Sequence, residues 1–328
     1  MTDKKWMAVS FLVLVVFTYF LVSFVSQTMT IKHITGRLKG DPQLTMSERH
    51  IVLVEQEQGH PYWQLVERGA TDAAEANHIA IECIGPVRNN MAEQLKLLEK
   101  AIASKVDGII VQGLNHEQFT PVINKAVEAG IPVITVDADA PSSKRLSFVG
   151  TDNLEAGKRQ GELVVRSTGG TGKIGVIIGS DKAENQLERL EGIKHVIGEY
   201  PGLHIEEVRS SNISLIEAIQ QSAEMLQRNP EITTMVGTSA TDALGILQAA
   251  KSLKRSDIKI IGFDDLPETI EAIRSGDIVA TIVQQPYRMG EQSVELLQRY
   301  FNGDALSNEY FTRADIMDAA AVAGGMNP

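Results

Sequence analysis

From Ile51 onward, the chain alternates short runs of β-branched residues with amphipathic stretches of roughly 12 to 18 residues. This alternation is typical of βαβ units, in which helices cover parallel strands. Because ten such strands exceed what one open sheet holds comfortably, the pattern predicts two sheets. The predicted strands span 51–56, 78–84, 108–113, 132–137, 146–150, 173–179, 203–208, 233–238, 258–264 and 277–284.

The N-terminus carries a second signal, an uncharged and mainly apolar stretch at 6–25. A helix of this length covers about 30 Å, the thickness of a hydrocarbon core. It predicts a transmembrane signal-anchor, with an unusually long cleaved signal sequence as the alternative. Residues 1–5, including Lys4 and Lys5, would form a cytoplasmic tail, and the polar residues 26–49 would form a tether.

Composition and motifs exclude several classes of protein. The net charge of -11 does not suit a nucleic-acid surface, which needs clustered Lys and Arg. The single cysteine, Cys83, cannot form an internal disulfide, and its apolar surroundings indicate a small buried side chain. The stretch "GGTGKI" at 169–174 precedes a strand and lacks the Ser or Thr of a phosphate loop. Because no HExxH, GxSxG or CxxC motif occurs either, the sequence predicts a binding protein with no metal, cofactor or catalytic residue.

Polar and aromatic side chains are concentrated just after the predicted strands. Ligands of open α/β sheets bind beyond the carboxyl ends of the strands, so these side chains are expected to share a crevice. Aromatic rings can pack on the C–H faces of a sugar, while carboxylates and amides bind its hydroxyls. Ordinary explanations also exist, such as core packing for Trp63 or helix capping for Asp137 and Asp264. The candidates are His60, Tyr62, Trp63, Gln112, Asp137, Asp264 and Gln284.

Seven motifs give the chain a resemblance to a known family. They are "HPYW", "VITVDADA", "FVGTDN", "ERLEGI", "DALGILQA", "IIGFDDLPE" and "ATIVQQPYRMG". In this order and spacing they resemble sugar-binding periplasmic receptors of the ribose-binding type, which share their fold with the effector domains of lactose-repressor-like regulators. The resemblance implies a type I periplasmic-binding-protein fold, with two doubly wound parallel-sheet α/β lobes joined by a three-crossover hinge and, here, preceded by one transmembrane helix. It implies an N-lobe of 50–151 plus 285–313 and a C-lobe of 152–284 plus 314–328.

The same resemblance implies how the two lobes share the site. Arg189, in "ERLEGI", matches an arginine that reaches the sugar from the C-lobe, where Asp264 and Gln284 match an acid and an amide. Thr151 and Asn153 belong to "TDN", a family hallmark at a lobe crossover. From the N-lobe, the resemblance implies rings that stack on the sugar and polar groups that bind it, namely Tyr62, Trp63, His60, Gln112 and Asp137.

The sequence departs from the family at positions that bear on the ligand. Ala138 stands where an arginine often follows the acid, and Ser239 stands where an asparagine is usual. Ile213 or Asn212 occupies a place where a third aromatic ring sits in ribose binders. Because an unmatched buried hydroxyl costs about 1–3 kcal/mol, we expect a ligand other than D-ribose: a different pentose, a hexose or a small relative.

Together these features predict a single-pass protein of the cell membrane with an extracytoplasmic sugar-binding domain. Its two lobes are expected to close on a monosaccharide. The expected partner is an ABC permease that receives the sugar, and a sensor histidine kinase that reads the closed state is the alternative. A DNA-binding repressor shares the fold, but its helix-turn-helix would occupy residues 6–25, so no nucleic-acid partner is expected.

Overall fold

The computed structural model describes residues 49–324, which contain twelve strands and ten helices. No helix within that range combines the length and the apolar composition needed to cross a bilayer. The predicted tail at 1–5, the predicted transmembrane span at 6–25 and nearly all of the predicted tether at 26–49 lie outside the described residues.

The first sheet has six strands, and every neighbouring pair is parallel. From one edge to the other, they are β11 (Glu309–Thr312), β5 (Ser147–Thr151), β4 (Val133–Val136), β3 (Gly108–Val111), β1 (Arg49–Val54) and β2 (Ile79–Ile84). One side is covered by α1 (Pro61–Ala76) and α9 (Pro286–Phe301), and the other by α2 (Met91–Ala103) and α3 (His116–Glu128).

The second sheet also has six strands. Its order is β12 (Asp315–Asp318), β10 (Ala280–Val283), β9 (Lys259–Phe263), β8 (Thr234–Gly237), β6 (Thr171–Ile178) and β7 (Gly202–Ser210). One side is covered by α4 (Asn153–Thr168) and α5 (Glu184–Gly198), and the other by α6 (Leu215–Arg228), α7 (Asp242–Ser252) and α8 (Pro267–Ser275), with α10 (Ala319–Ala323) at the end of the described chain.

The two sheets have the same order, with β11, β5, β4, β3, β1 and β2 matching β12, β10, β9, β8, β6 and β7. The chain passes between them three times: at Asp152 after β5, at 284–285 after β10, and at 313–314 between β11 and β12. Two lobes with parallel sheets and helices on both sides confirm the predicted α/β architecture. One detail of that prediction is wrong: β12 pairs antiparallel with β10, so the second sheet is mixed.

The central strands form the core because both sides of each sheet are covered by helices. All four residues of β3 and all four of β4 are buried, as are those of β8 and β10. A strand buried on both sides is mainly apolar, which explains the β-branched runs in the sequence; Thr135, Thr234 and Thr281 are the polar residues of these strands. Each sheet therefore has two apolar layers, one on each side.

One helix pair in each lobe crosses at backbone contact. A Cβ at Gly69 in α1 would lie 1.9 Å from the carbonyl oxygen of Tyr287 in α9. In the second lobe, a Cβ at Gly157 in α4 would lie 2.1 Å from the carbonyl oxygen of Arg189 in α5. Only glycine allows these approaches, which bring α9, the helix after the second crossing, against α1, and α4, the helix after the first crossing, against α5.

The ten strands predicted from the sequence all occur, with ends shifted by a few residues at most. The two edge strands β11 and β12 were missed. Their sequences, "EYFT" and "DIMD", are short and carry charges, as edge strands often do, so no apolar run marks them.

Candidate ligand-binding site

The carboxyl ends of strands from both sheets border one cleft, in which the space outside protein atoms, open solvent included, is about 570 Å³. Nine of the eleven predicted site residues line this cleft: His60, Tyr62, Trp63, Gln112, Asp137, Arg189, Ser239, Asp264 and Gln284.

Asp137 is the polar centre of the first-sheet wall. Its carboxylate accepts a hydrogen bond from Tyr62 Oη at 2.6 Å and a second one from Gln112 Nε2. Each carboxylate oxygen can accept more than one hydrogen bond, so acceptor capacity remains for a ligand. The two protein donors fix the orientation of the carboxylate before any ligand arrives.

The start of α1 places the two aromatic rings. Pro61 occupies the first turn of the helix, and His60 Nδ1 caps it by accepting a hydrogen bond from the Tyr62 N–H at 3.3 Å. Trp63 meets Tyr62 edge-to-face with 5.7 Å between ring centroids, and only 2% of Trp63 is exposed. Trp63 thus packs in the core and also lines the cleft. Its position agrees with the core-packing explanation and places the ring at the predicted site as well.

Asp137 and Asp264 occupy equivalent places in the two sheets, directly after β4 and β9. Both have left-handed backbones, with φ of 67° and 63°. Their N–H groups donate to equivalent carbonyls, Val149 at 2.9 Å and Ile282 at 2.7 Å. The left-handed conformation is costly for a residue with a side chain, although Asp tolerates it better than most. Neither aspartate caps a helix, so that alternative explanation is wrong.

Arg189 is 2% exposed and held on several sides. Its Nε donates to Asn153 Oδ1 at 2.9 Å, its Nη1 to the Thr238 carbonyl at 2.8 Å, and its Nη2 to Gln284 Oε1 at 3.3 Å. The guanidinium carbon lies 3.7 Å from the centroid of the Phe263 ring. A guanidinium has five N–H donors, so this network leaves donors for a ligand.

Gln284 lies at the second crossing and connects the two sheets. Its Nε2 donates to Asp264 Oδ1 at 2.9 Å, and its Oε1 accepts from Thr151 Oγ1 at 2.8 Å. The carbonyl of Asp264 is fixed in turn by Thr281 Oγ1, which donates to it at 2.7 Å. The acid of the second lobe is therefore positioned through residues at two crossings.

Two predicted site residues, Thr151 and Asn153, do not line the cleft. Both are buried behind it, where Thr151 bonds Gln284 and Asn153 bonds Arg189. Their position suits a role in orienting the residues in front of them.

The electrostatics of the cleft are dominated by burial. Burial raises the pKa of Asp264 to about 7, although the Arg189 charge opposes the shift. Burial also raises the pKa of Asp137, against the hydrogen bond from Tyr62. The pKa of His60 is lowered by burial, so this imidazole is neutral at pH 7. Donors from a ligand would favour the ionised form of both carboxyl groups.

Three buried polar atoms of cleft residues have no hydrogen-bond partner within residues 49–324. They are Gln112 Oε1, Asn185 Oδ1 and Ser239 Oγ. An unpaired buried acceptor costs about 1–3 kcal/mol, so these atoms favour a ligand that brings donors. A hydroxyl suits them because it donates and accepts.

Sequence reasoning missed several residues of the cleft wall, although some carried a signal. Asn185 and Gln186 precede Arg189 by four and three positions in α5, so helical periodicity puts all three on one side. Ile213, not Asn212, is the one of that pair that lines the cleft. The missed residues are Gln56, Glu57, Leu114, Asn185, Gln186 and Ala240.

Comparisons with known proteins agree with this architecture. A family model described as a periplasmic binding protein domain matches residues 51–305. The crystal structure of GanP, a glucose-galactose binding protein from Geobacillus stearothermophilus, matches with a TM-score of 0.82 and 38% identity, covering 83% of this chain and 98% of GanP. A chain of the XylFII-LytSN complex matches with a TM-score of 0.78 and 34% identity, covering 83% and 98%. The ribose import binding protein RbsB of Escherichia coli strain K12 is 23% identical over 268 residues, covering 81% of this chain and 89% of RbsB.

Proposed function

Since this chain belongs to the periplasmic binding protein domain family, we propose that it is a non-enzymatic receptor whose two lobes close on a monosaccharide. The observation that carries the proposal is the cleft, in which Asp137 and Asp264 share a buried space with Arg189 and the Tyr62 ring. Two similar proteins are described as sugar binders, which supports the proposal: GanP is a glucose-galactose binding protein, and RbsB is a ribose import binding protein.

A monosaccharide satisfies what the cleft lacks. Its hydroxyls can donate to the two carboxylates and to the unpaired oxygens of Gln112 and Ser239. The same hydroxyls can accept from the remaining N–H groups of Arg189. Its C–H groups can pack on the aromatic wall at the start of α1.

Closure follows from the way the cleft is divided. Asp137 and Tyr62 come from the first lobe, while Arg189 and Asp264 come from the second. A ligand that contacts both walls binds the closed form better than the open one and shifts the population toward it. The three crossings near Asp152, 284–285 and 313–314 would serve as the hinge.

We propose that the closed receptor delivers its sugar to an ABC permease. RbsB is described as an import binding protein, which supports this output. The apolar stretch at 6–25 supports a receptor anchored in the cell membrane, with the two lobes outside the cytoplasm. Residues 26–48 would then tether the lobes close to the permease.

A second candidate output is signalling through a membrane histidine kinase. The XylFII-LytSN complex favours it, because a protein 34% identical to this chain assembles there with a second protein. In this case the closed lobes, and not the released sugar, would be the output. Both candidates share the same cleft and the same closure.

A calorimetric titration of the full-length protein with a panel of pentoses, hexoses and their polyols tests the sugar proposal. We expect saturable binding of at least one of them and its loss in Asp137→Ala. Glu75→Ala, which removes an exposed carboxylate of α1, is the matched control and should bind normally. If no member of the panel binds to the folded protein, the proposed function is wrong.

Deleting the gene separates the two outputs. Delivery to a permease predicts that uptake of the radiolabelled sugar is lost. Signalling predicts that uptake by an independently expressed transporter continues while transcriptional induction by the sugar is lost. The unchanged process in each case is the control for general damage to the cell.

A further inference from the structure

A second cavity lies beside the first crossing, and the space in it outside protein atoms, open solvent included, is about 530 Å³. Asp139, Phe148 and Phe311 form a wall from the first lobe, and Leu154 and Glu188 form a wall from the second. The cavity therefore spans both lobes, as the ligand cleft does, but it opens beside the crossing strands.

Carboxylates dominate this cavity, and few cations balance them. Arg145 pairs with Asp139, and His116 Nδ1 lies 3.5 Å from Glu184 Oε2. Among residues 49–324, no Lys, Arg or His lies within ion-pair distance of Glu188, although the charge of the neighbouring Arg189 acts to lower the pKa of this carboxyl. Burial, followed by the charge of Glu184, raises the pKa of Glu188 to about 7. The five acids that line the cavity are Asp139, Asp152, Glu184, Glu188 and Glu309.

An aromatic surface and an unpaired buried oxygen complete the lining. Phe311 is 53% exposed and meets Phe148 edge-to-face, with 6.2 Å between ring centroids. An exposed ring face attracts cations. Asn185 is 5% exposed and lies in the wall of this cavity, and its Oδ1 has no hydrogen-bond partner within the described residues. Such an oxygen calls for an N–H or O–H donor.

We infer that this cavity binds a guanidinium or alkylammonium group, carried by a small molecule or by a basic side chain of a partner protein. The N–H donors would bond the Glu188 carboxylate and the Asn185 oxygen, and the planar or apolar part of the cation would lie against Phe311. A bare metal ion fits less well, since no three acidic, His or Cys side chains among residues 49–324 are grouped as metal ligands.

The test is a calorimetric titration of the full-length protein with methylguanidinium chloride, using N-methylurea as a neutral compound of similar shape. We expect saturable binding of methylguanidinium alone, weakened by added salt because the attraction is electrostatic. Glu188→Gln should weaken it by about tenfold. Glu75→Gln, at an exposed carboxylate of α1, should leave it unchanged.

A second variant guards against misfolding as the cause of lost binding. Phe311→Leu keeps an apolar side chain on an exposed edge strand and should weaken methylguanidinium binding while the melting temperature is unchanged. The inference is overturned if methylguanidinium does not saturate the protein, or if Glu188→Gln and Glu75→Gln bind it equally well.

Experiments on the protein purified from its host cell determine whether the cation comes from a small molecule or from a partner protein. Mass spectrometry of small molecules released from the purified protein would reveal a free guanidinium or amine compound. Alternatively, the source is a partner protein that competes with methylguanidinium for the cavity. If replacing one Arg or Lys of that partner abolishes the competition, the cation is that side chain. Sugar binding is measured on the same samples, so a protein that binds the cation but no sugar retains this inference and loses the proposed function.

Discussion

Asp137 and Asp264 show how two copies of one strand-end geometry build a site with two acids. Each follows the equivalent strand of its sheet in a left-handed conformation, and each is fixed by a backbone hydrogen bond to the next strand. Their surroundings differ, because Tyr62 and Gln112 donate to Asp137 while Gln284 donates to Asp264. The equivalent backbone geometry therefore places the two carboxyl groups, and the neighbouring side chains give each of them different hydrogen-bond donors.

Sugar binding is expected to depend on pH through Asp264. Burial raises the pKa of this carboxyl to about 7, so it is largely protonated at pH 6 in the free protein. Hydroxyl donors favour the carboxylate, so binding should release a proton and affinity should rise by about tenfold from pH 6 to pH 8. Calorimetric titrations at pH 6 and pH 8 measure the change in affinity. Repeating them in two buffers of different ionisation enthalpy measures the proton release.

Raising the pH is expected to lower the stability of the free protein through Asp264, whereas it raises the sugar affinity. Because the folded pKa of Asp264 is raised above its unfolded value, its contribution is fully present below about pH 4 and is lost as pH rises through about 7. Asp264→Asn should remove both this loss and the proton release. A wild-type affinity that is equal at pH 6 and pH 8 would contradict the prediction.

Thr281 is expected to act as a positioning residue. Its hydroxyl is buried and donates to the carbonyl of Asp264 at 2.7 Å. Thr281→Val keeps the shape but leaves that carbonyl without its donor, which should reduce the free energy of unfolding by about 1 kcal/mol. Sugar affinity should fall as well, since Asp264 loses a constraint. Thr233→Val, at an exposed threonine, is the control, and an equal loss of affinity in both variants would contradict the assignment.

At the scale of helices, the glycine crossings couple packing to the site. Gly157 in α4 lies against the backbone of Arg189 in α5, the residue whose guanidinium lines the cleft. In Gly157→Ala the new methyl group would force these helices apart, and we expect a loss of about 1–3 kcal/mol in urea unfolding together with weaker sugar binding.

Gly198 offers a matched control for this substitution. It is the last residue of α5, and a Cβ there meets no atom within 4 Å. Gly198→Ala should be neutral or slightly stabilising, because alanine favours the helix. A similar loss of stability in both variants would show that helix contact is not the cause.

The same elements explain how far the sequence alone can predict this molecule. Strands buried on both sides, such as β3 and β4, show apolar runs, and the residues after them could be assigned to a crevice from the topology of parallel sheets. By contrast, β11 and β12 lie at sheet edges and have no such run. The hydrogen bonds of Thr151 and Asn153 behind the cleft depend on three-dimensional packing, which no sequence period records.

For the whole molecule, closure can be measured between α3 and α5. His116 and Glu184 lie at the starts of these helices, in different lobes, with 3.5 Å between Nδ1 and Oε2. In a protein with His116→Cys and Glu184→Cys, we expect a saturating sugar to accelerate cross-linking by a short bis-maleimide, because closure holds the two positions together. A rate that does not respond to the bound sugar would contradict closure at this contact.

The native cysteine does not interfere with that measurement. Burial raises the pKa of the Cys83 thiol to about 12, so little reactive thiolate exists at neutral pH. The wild-type protein, with Cys83 alone, is the control.

The three passages of the chain between the sheets determine when each lobe can be completed during synthesis. The first sheet has five of its strands once residue 151 has emerged, but its edge strand β11 arrives only with residues 309–312. The second sheet gains its edge strand directly afterwards, with residues 315–318. Neither lobe is an independent fragment of the polypeptide, so a ribosome or a secretion channel must release nearly the whole chain before either lobe reaches its final form.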